Sequence, residues 1–301
     1  MKDSKITVLN LKNLTKSYGK FRGVEDISLS LNKGEILGFL GPNGAGKTTT
    51  INMLLNFMKP DSGYIEIFGL SNQDHGLETR ARIGYLAGDM SLDGRMTGWQ
   101  QLEYLGNIRG VFNHEYISGL ADRLSCDLTR KIKNLSRGNK QKVGLISALM
   151  HQPELLILDE PTSGLDPIVQ AEFNKIILEH KSEGGAAFIS SHVLSEVQEL
   201  CDKVAFIREG KLIANKPLKD IIKGAPKNIR LSVENLTAIK QIQDLQIIKN
   251  IHIDGTVLTG IYDDDINLLL SKLSRFKLDD ISILDADLEA IFMQYYEDTD
   301  V

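Results

Sequence analysis

Gly41-Pro42-Asn43-Gly44-Ala45-Gly46-Lys47-Thr48-Thr49 fits the phosphate-loop pattern G-x-x-x-x-G-K-[ST]. An apolar run, Glu35 to Leu40, leads into it and reads as a strand. Thr49 to Phe57 follows and reads as a helix with Ile51, Leu54 and Leu55 on one face. Glycines let the backbone wrap closely around a polyphosphate, with consecutive N–H groups and a helix N-terminus aimed at the negative charge. Lys47 is placed to reach the outer phosphates and the Thr48 hydroxyl to ligate Mg²⁺. Strand, loop and helix stand in the order the motif requires. The chain is expected to bind a nucleoside triphosphate through residues 41–49.

A second half of the site is expected far downstream. Leu155-Leu156-Ile157-Leu158-Asp159-Glu160-Pro161 is four apolar residues, two carboxylates and a proline. A short, wholly apolar run is what a strand buried on both faces of a parallel sheet looks like. Acids at its C-terminal end would project into the crevice where open α/β sheets bind ligands. Asp159 is the expected Mg²⁺ partner, directly or through water, and Glu160 the general base that orients the attacking water.

Three further phrases surround these acids. Leu135-Ser136-Arg137-Gly138-Asn139-Lys140-Gln141 precedes them by a helix-length segment, Lys142 to Gln152. Ser163-Gly164-Leu165-Asp166 follows almost at once, and Ser190-Ser191-His192 ends the next apolar strand, Ala186 to Ile189. With that order of motifs over about the first 215 residues, the chain resembles the ATP-binding subunit of an ABC transporter. Leu135 to Val143 and Asp159 to Pro167 look most like the subfamily that drives drug, antibiotic or bacteriocin export. The resemblance implies a P-loop α/β nucleotide-binding domain with a helical subdomain, using ATP and Mg²⁺. It also implies a head-to-tail dimer, with itself or a related ATPase subunit, holding two ATP molecules between the subunits. Ser136 and Gly138, in the signature loop, would then grip the γ-phosphate bound by the partner. His192 would be the switch histidine beside the γ-phosphate, and Tyr18 the ring stacked on adenine, with a plain core tyrosine as the alternative.

The chain departs from the family twice. Arg137 stands where the signature usually has a second glycine, and Asn139 where it has glutamine. After the strand Ile83 to Leu86 the family carries a glutamine that touches metal or water; here Ala87-Gly88-Asp89 stands instead. Gly88 falls nearest that position and has no side chain. Asp89 is either a replacement metal contact or a surface acid.

At 301 residues and 42% hydrophobic, the chain can bury a large core and is expected to hold two domains. No apolar run approaches the roughly 18 residues of a membrane span, and Met1 to Lys5 lacks a signal-peptide pattern. Any transport path is therefore expected on a separate transmembrane permease subunit, with this chain peripheral on the cytoplasmic face of the membrane. Met90 to Tyr104 is the expected docking surface. Cys126 and Cys201 have no metal or redox spacing and read as reduced, partly buried thiols.

The domain boundary is expected near residue 220, giving a nucleotide-binding domain over 1–220 and a C-terminal accessory domain over 225–301. Lys223 to Pro226 reads as a linker. Strands are expected at Ile229–Val233, Gln246–Ile251, Gly255–Tyr262 and Ile281–Leu284. Helices are expected at Leu236–Ile242, from Asp263-Asp264-Asp265 through Phe276, and at Asp287–Tyr296. Strand-helix-strand-strand-helix-strand is the ferredoxin-like α+β order. From Ala225 onward there are 7 Lys and Arg against 14 Asp and Glu, a balance of −7 in a chain of −5. Such a tail is repelled by phosphate and argues against nucleic-acid binding. It could modulate dimerisation, contact the permease, respond to a ligand, or simply stabilise the fold.

An ATPase subunit of a membrane exporter explains all the motifs, and an importer subunit is its nearest rival. A kinase leaves Ser136-Arg137-Gly138 and Ser163 to Asp166 without a role. Soluble relatives that act on ribosomes usually hold two nucleotide domains in one chain. DNA-repair relatives insert long coiled coils, whereas Lys47 and Leu135 are only 88 positions apart here.

Overall fold

A computed structural model describes residues 6–19, 21–223 and 226–285. The chain divides into two compact units, Met1–Leu218 and Lys219–Val301.

The first unit opens with β1 (Thr7–Tyr18), β2 (Phe21–Asn32), β3 (Ile36–Leu40) and α1 (Lys47–Leu54). After these come β4 (Ser62–Ile67), β5 (Leu70–Ser71), α2 (Gly76–Ala81) and β6 (Ile83–Leu86). The helical stretch is α3 (Gly98–Arg109), α4 (His114–Arg123) and α5 (Arg137–Leu149). The unit then runs through β7 (Leu155–Asp159), α6 (Pro167–Ser182), β8 (Ala186–Ser191), α7 (Leu194–Leu200), β9 (Lys203–Arg208) and β10 (Lys211–Pro217).

Two sheets share its core. One has the order β2-β1-β4-β5, with antiparallel neighbours. The other runs β10-β9-β3-β8-β7-β6, parallel except for the edge strand β10. Every residue of β3, β7 and β8 is buried, as apolar runs such as Leu155 to Leu158 require when both faces of a sheet are covered. Leu11, Val24 and Ile27 of the antiparallel sheet join Phe39, Ile157 and Phe188 in one cluster, with the Phe39 and Phe188 rings 5.1 Å apart. Burying ring pairs of this kind contributes about 0.5–1.5 kcal/mol beyond area alone.

Parallel order places the C-terminal ends of β3, β7 and β8 side by side, with Leu40 against Ser191 and Asp159 against Ser190. The phosphate loop, the two acids and the histidine therefore leave the sheet at one edge.

The α3 helix starts at a capping box, Thr97 accepting from the Gln100 N–H while Gln100 reaches back, and stops at Gly110 with φ of 71°. Trp99 on α3 stacks on His114 at the start of α4, with ring centroids 4.3 Å apart and planes 1° from parallel. Cys126 and Cys201 are buried free thiols; burial pushes Cys126 up to about 11 and Cys201 further.

Several boundaries differ from the sequence reading, and the backbone explains them. The first helix ends at Leu54 rather than Phe57, because Asn56 turns left-handed with φ of 57°. The signature helix begins at Arg137, not Lys142, because Ser136 caps it by accepting from the Asn139 N–H at 3.3 Å. It ends at Leu149, short of Gln152, whose φ is 51°.

A helix, α8 (Leu218–Lys223), takes in Lys223, the first residue of the expected linker. The second unit then holds β11 (Lys227–Val233), α9 (Leu236–Asp244), β12 (Lys249–Asp254), β13 (Val257–Tyr262), α10 (Ile266–Leu273) and β14 (Leu278–Asp285). Its sheet order is β12-β13-β11-β14 with antiparallel neighbours, the ferredoxin-like arrangement. Ile229, Leu231 and Val233 face Ile239, Ile242, Leu269 and Leu273 in a core of its own. Asp265 caps α10, accepting from Asn267 N–H at 2.7 Å. The helix stops at Leu273, and the strand expected from Gln246 begins only at Lys249, because Gln246 turns left-handed with φ of 51°. The expected helix Asp287–Tyr296 lies outside the described residues.

Candidate nucleotide site

The loop between β3 and α1 owes its path to glycine at two positions. Gly46 has φ of 110°, a conformation that side chains rarely adopt, and it forms the N-cap of α1. At Gly41 a Cβ would collide with the Ile207 carbonyl oxygen. The resulting turn brings consecutive amides to the start of α1, an anion site by construction. Lys47 is buried at the base of the turn, donating to the Gly41 carbonyl at 2.7 Å and the Pro42 carbonyl at 3.4 Å. Its ammonium also lies 3.5 Å from Glu160 Oε1.

An open cleft of about 560 Å³ spreads from this loop, within the usual size of a small-molecule site. Pro42, Asn43, Gly44, Gly46, Lys47, Thr48 and Thr49 form one wall. Asp159, Glu160 and His192 form another, and Tyr18, 44% exposed, stands at the rim. Gly88 and Asp89 also line it. Gly41 and Ala45 are buried behind the loop.

Around Asp159 the chemistry suits a hard cation. Thr48 Oγ1 lies 3.4 Å from Asp159 Oδ2, and Ser190 donates a short hydrogen bond to the other carboxylate oxygen. A Cβ at Gly88 would sit 3.3 Å from Asp159 Oδ2, so position 88 faces this carboxylate. Asp89 is exposed. Among the described residues no group of three or more His, Cys, Asp or Glu could hold a metal by itself. One hydroxyl and one carboxylate fit Mg²⁺, which keeps waters and takes phosphate oxygens for its remaining ligands. The Asp159 charge and, more strongly, burial push the Tyr85 phenol above its ordinary value.

Glu160 is aimed by its backbone. Its φ of 50° is left-handed, an uncommon state for a residue with a side chain, and the turn is held from two directions. The Glu160 N–H donates to the Ser190 carbonyl at 3.1 Å, and buried Gln141 donates to the carbonyls of Glu160 and Pro161 at 3.2 and 3.1 Å. Glu160 Oε2 then meets His192 Nδ1 at 2.7 Å. The two residues expected to handle the water are thus one hydrogen-bonded pair.

The signature residues lie elsewhere. Ser136 is exposed and caps α5, and neither it nor Gly138 lines the cleft. Gly138 packs so closely on Gly164 that a Cβ would strike the Gly164 carbonyl oxygen. Arg137 does line the cleft, with Ser163, and donates to its hydroxyl at 3.0 Å. Gln141, Ser163 and Ser190 stand in the quoted motifs but received no role from the sequence, and Glu196 stands outside them. Glu196 accepts from Thr162, Gln170 and Ser191 and so fixes the segments after Glu160 and before His192. For Glu196 the repeated hydroxyl residues before His192 were a signal, since a carboxylate is a natural acceptor for them.

Comparisons with known proteins agree with this geometry. The sequence model of the ABC transporter family matches residues 24–163. The bacitracin transport ATP-binding protein BcrA of Bacillus licheniformis is 38% identical over 257 residues, covering 83% of this chain and 84% of that protein. An uncharacterized ABC transporter ATP-binding protein of Bacillus subtilis, YhaQ, is 31% identical over 301 residues, covering 96% of this chain and 100% of the relative. A solved ATP-binding subunit of an ABC transporter superposes with a TM-score of 0.68 at 29% identity, covering 72% of this chain and 92% of that one. With a phosphate loop and an acid–histidine pair lining one cleft, and with relatives 38% and 31% identical over 83% and 96% of its length, the chain belongs to the ABC transporter ATP-binding family.

Proposed function

We propose that this ATPase powers export of a drug-like or peptide antibiotic cargo through a separate membrane subunit. The observation that carries the chemistry is the Glu160–His192 pair, 2.7 Å apart, facing Lys47 and the Thr48–Asp159 pair across one cleft. The backbone N–H groups of residues 43–48 and the Lys47 ammonium hold the outer phosphates of ATP, and Tyr18 stacks on the base. Thr48 and Asp159 would hold Mg²⁺, which would supply charge neutralisation at the phosphates when bound. Glu160 accepts the proton of the attacking water, and His192 keeps its carboxylate oriented.

Ser136 is exposed and, like Gly138, does not line the chain's own cleft, which supports completion of each site by a second subunit. Residues 1–220 act as the nucleotide-binding unit and 225–301 as an accessory unit. No helix among the described residues is long and apolar enough to cross a membrane, so the reading assigns the path to a partner seated on residues 90–104. The bacitracin transport relative supports an antibiotic as the class of cargo.

Replacing Glu160 by Gln spares shape and removes the base. ATP should still bind, while turnover should fall by about 10²–10⁴. Lys47→Ala should instead weaken nucleotide binding itself. Wild-type turnover in Glu160→Gln would overturn the chemistry. For the cargo, cells carrying this chain and its membrane subunit should tolerate bacitracin better than cells carrying Glu160→Gln with the same subunit. Equal tolerance would reject that substrate class.

A further inference from the structure

We infer that Gln141 is a positioning residue that makes the aim of Glu160 depend on the signature helix. The inference rests on Glu160 being the base, as proposed above. Gln141 is buried in the second turn of α5, five residues past the Ser136 cap, or about 7 Å along the axis at 1.5 Å per residue. Its amide spends both N–H groups in one place, donating to the carbonyls of Glu160 and Pro161 at 3.2 and 3.1 Å. Those carbonyls belong to Glu160 and to the residue after it, and the Glu160 φ of 50° turns its carboxylate toward His192 and Lys47. A left-handed backbone at a residue with a Cβ persists only where its surroundings impose it. Ser190 imposes it from the sheet side, and Gln141 from the helix side.

The same end of α5 touches the next residues of the chain as well. Arg137 donates to Ser163 at 3.0 Å, and Gly138 is pressed on Gly164. The first two turns of α5 and residues 160–164 therefore move together, with Gln141 as the link nearest the carboxylate. Whatever engages Ser136 at the exposed tip of that helix also bears on the geometry of Glu160 in the same chain.

The test uses the full chain with Gln141→Met, which keeps the volume and removes the donor. A base misplaced by a fraction of an ångström should cost up to about 10²-fold in kcat, with the nucleotide dissociation constant within about twofold of wild type. Because hydrolysis is slowed while both nucleotide-binding surfaces remain intact, Gln141→Met should also accumulate an ATP-bound dimer in light scattering with Glu160 unchanged. A mere folding defect would lose nucleotide binding and dimer together. The gentler Gln141→Asn, one methylene too short to reach both carbonyls, should show the same pattern at smaller amplitude. Wild-type kcat in Gln141→Met, or loss of nucleotide binding in both variants, would overturn the inference. Wild-type turnover in Glu160→Gln would instead remove the assignment on which it stands.

Discussion

Position 88 faces the Asp159 carboxylate at 3.3 Å yet carries glycine, so the metal end of the cleft depends on its neighbour for any side chain from this loop. Asp89 lines the same cleft and is exposed enough to turn toward it. If it contacts metal or water there, Asp89→Ala should lower ATP turnover by about tenfold, the equivalent of one ordinary hydrogen bond, with little change in nucleotide affinity. Asp89→Asn should keep part of the activity through its amide oxygen. Gly88→Gln should fold, since Asp159 need give only a few tenths of an ångström, and should partly rescue Asp89→Ala. Unchanged steady-state turnover in Asp89→Ala would make Asp89 a surface acid. At this scale Lys47, Thr48, Asp159, Glu160 and His192 were legible because each belongs to a contiguous string with its own chemistry. Gln141, Ser163 and Glu196 were not, because their role arises from the packing of α5 and α7 against residues 160–164.

An element's ends are set by single residues, and Ser136 carries two duties at one such end. Its hydroxyl caps α5, and its exposed face is where a partner's nucleotide would sit. Losing the cap alone costs about 1 kcal/mol, which the unit can tolerate. Ser136→Phe should therefore leave a folded chain with normal ATP binding. In a Glu160→Gln background, however, it should not form the ATP-dependent dimer that Glu160→Gln alone forms. Normal dimerisation of the double variant in light scattering would remove the trans role of the signature. Strands β3, β7 and β8 were readable to within two residues because burial on both faces demands unbroken apolar runs. The helix ends were less readable. Left-handed turns at Asn56, Gln152 and Gln246 stop or delay elements, and an asparagine or glutamine does not announce its φ in the sequence.

The chain divides into two compact units in sequence, the first holding every residue that lines the nucleotide cleft and the second organised around Ile229, Leu231 and Val233. A chain ending at Lys223 should therefore fold and bind ATP with near wild-type affinity, checked by fluorescent-nucleotide titration. Loss of binding would mean the accessory unit supports the site. The βαββαβ order of that unit was legible from alternation. The pairing of β11 with both β13 and β14 was not, since it depends on which strands meet across the sheet. The antiparallel sheet of β1, β2, β4 and β5 also escaped the sequence reading, its pairing broken by register shifts and by left-handed turns at Asn13 and Asp26. Trp99, finally, is the chain's single tryptophan, half-buried, stacked on His114 and set inside residues 90–104. The molecule thus carries one native fluorophore, at the surface proposed to meet the membrane subunit. Its emission offers an optical readout of docking that needs no label and no mutation.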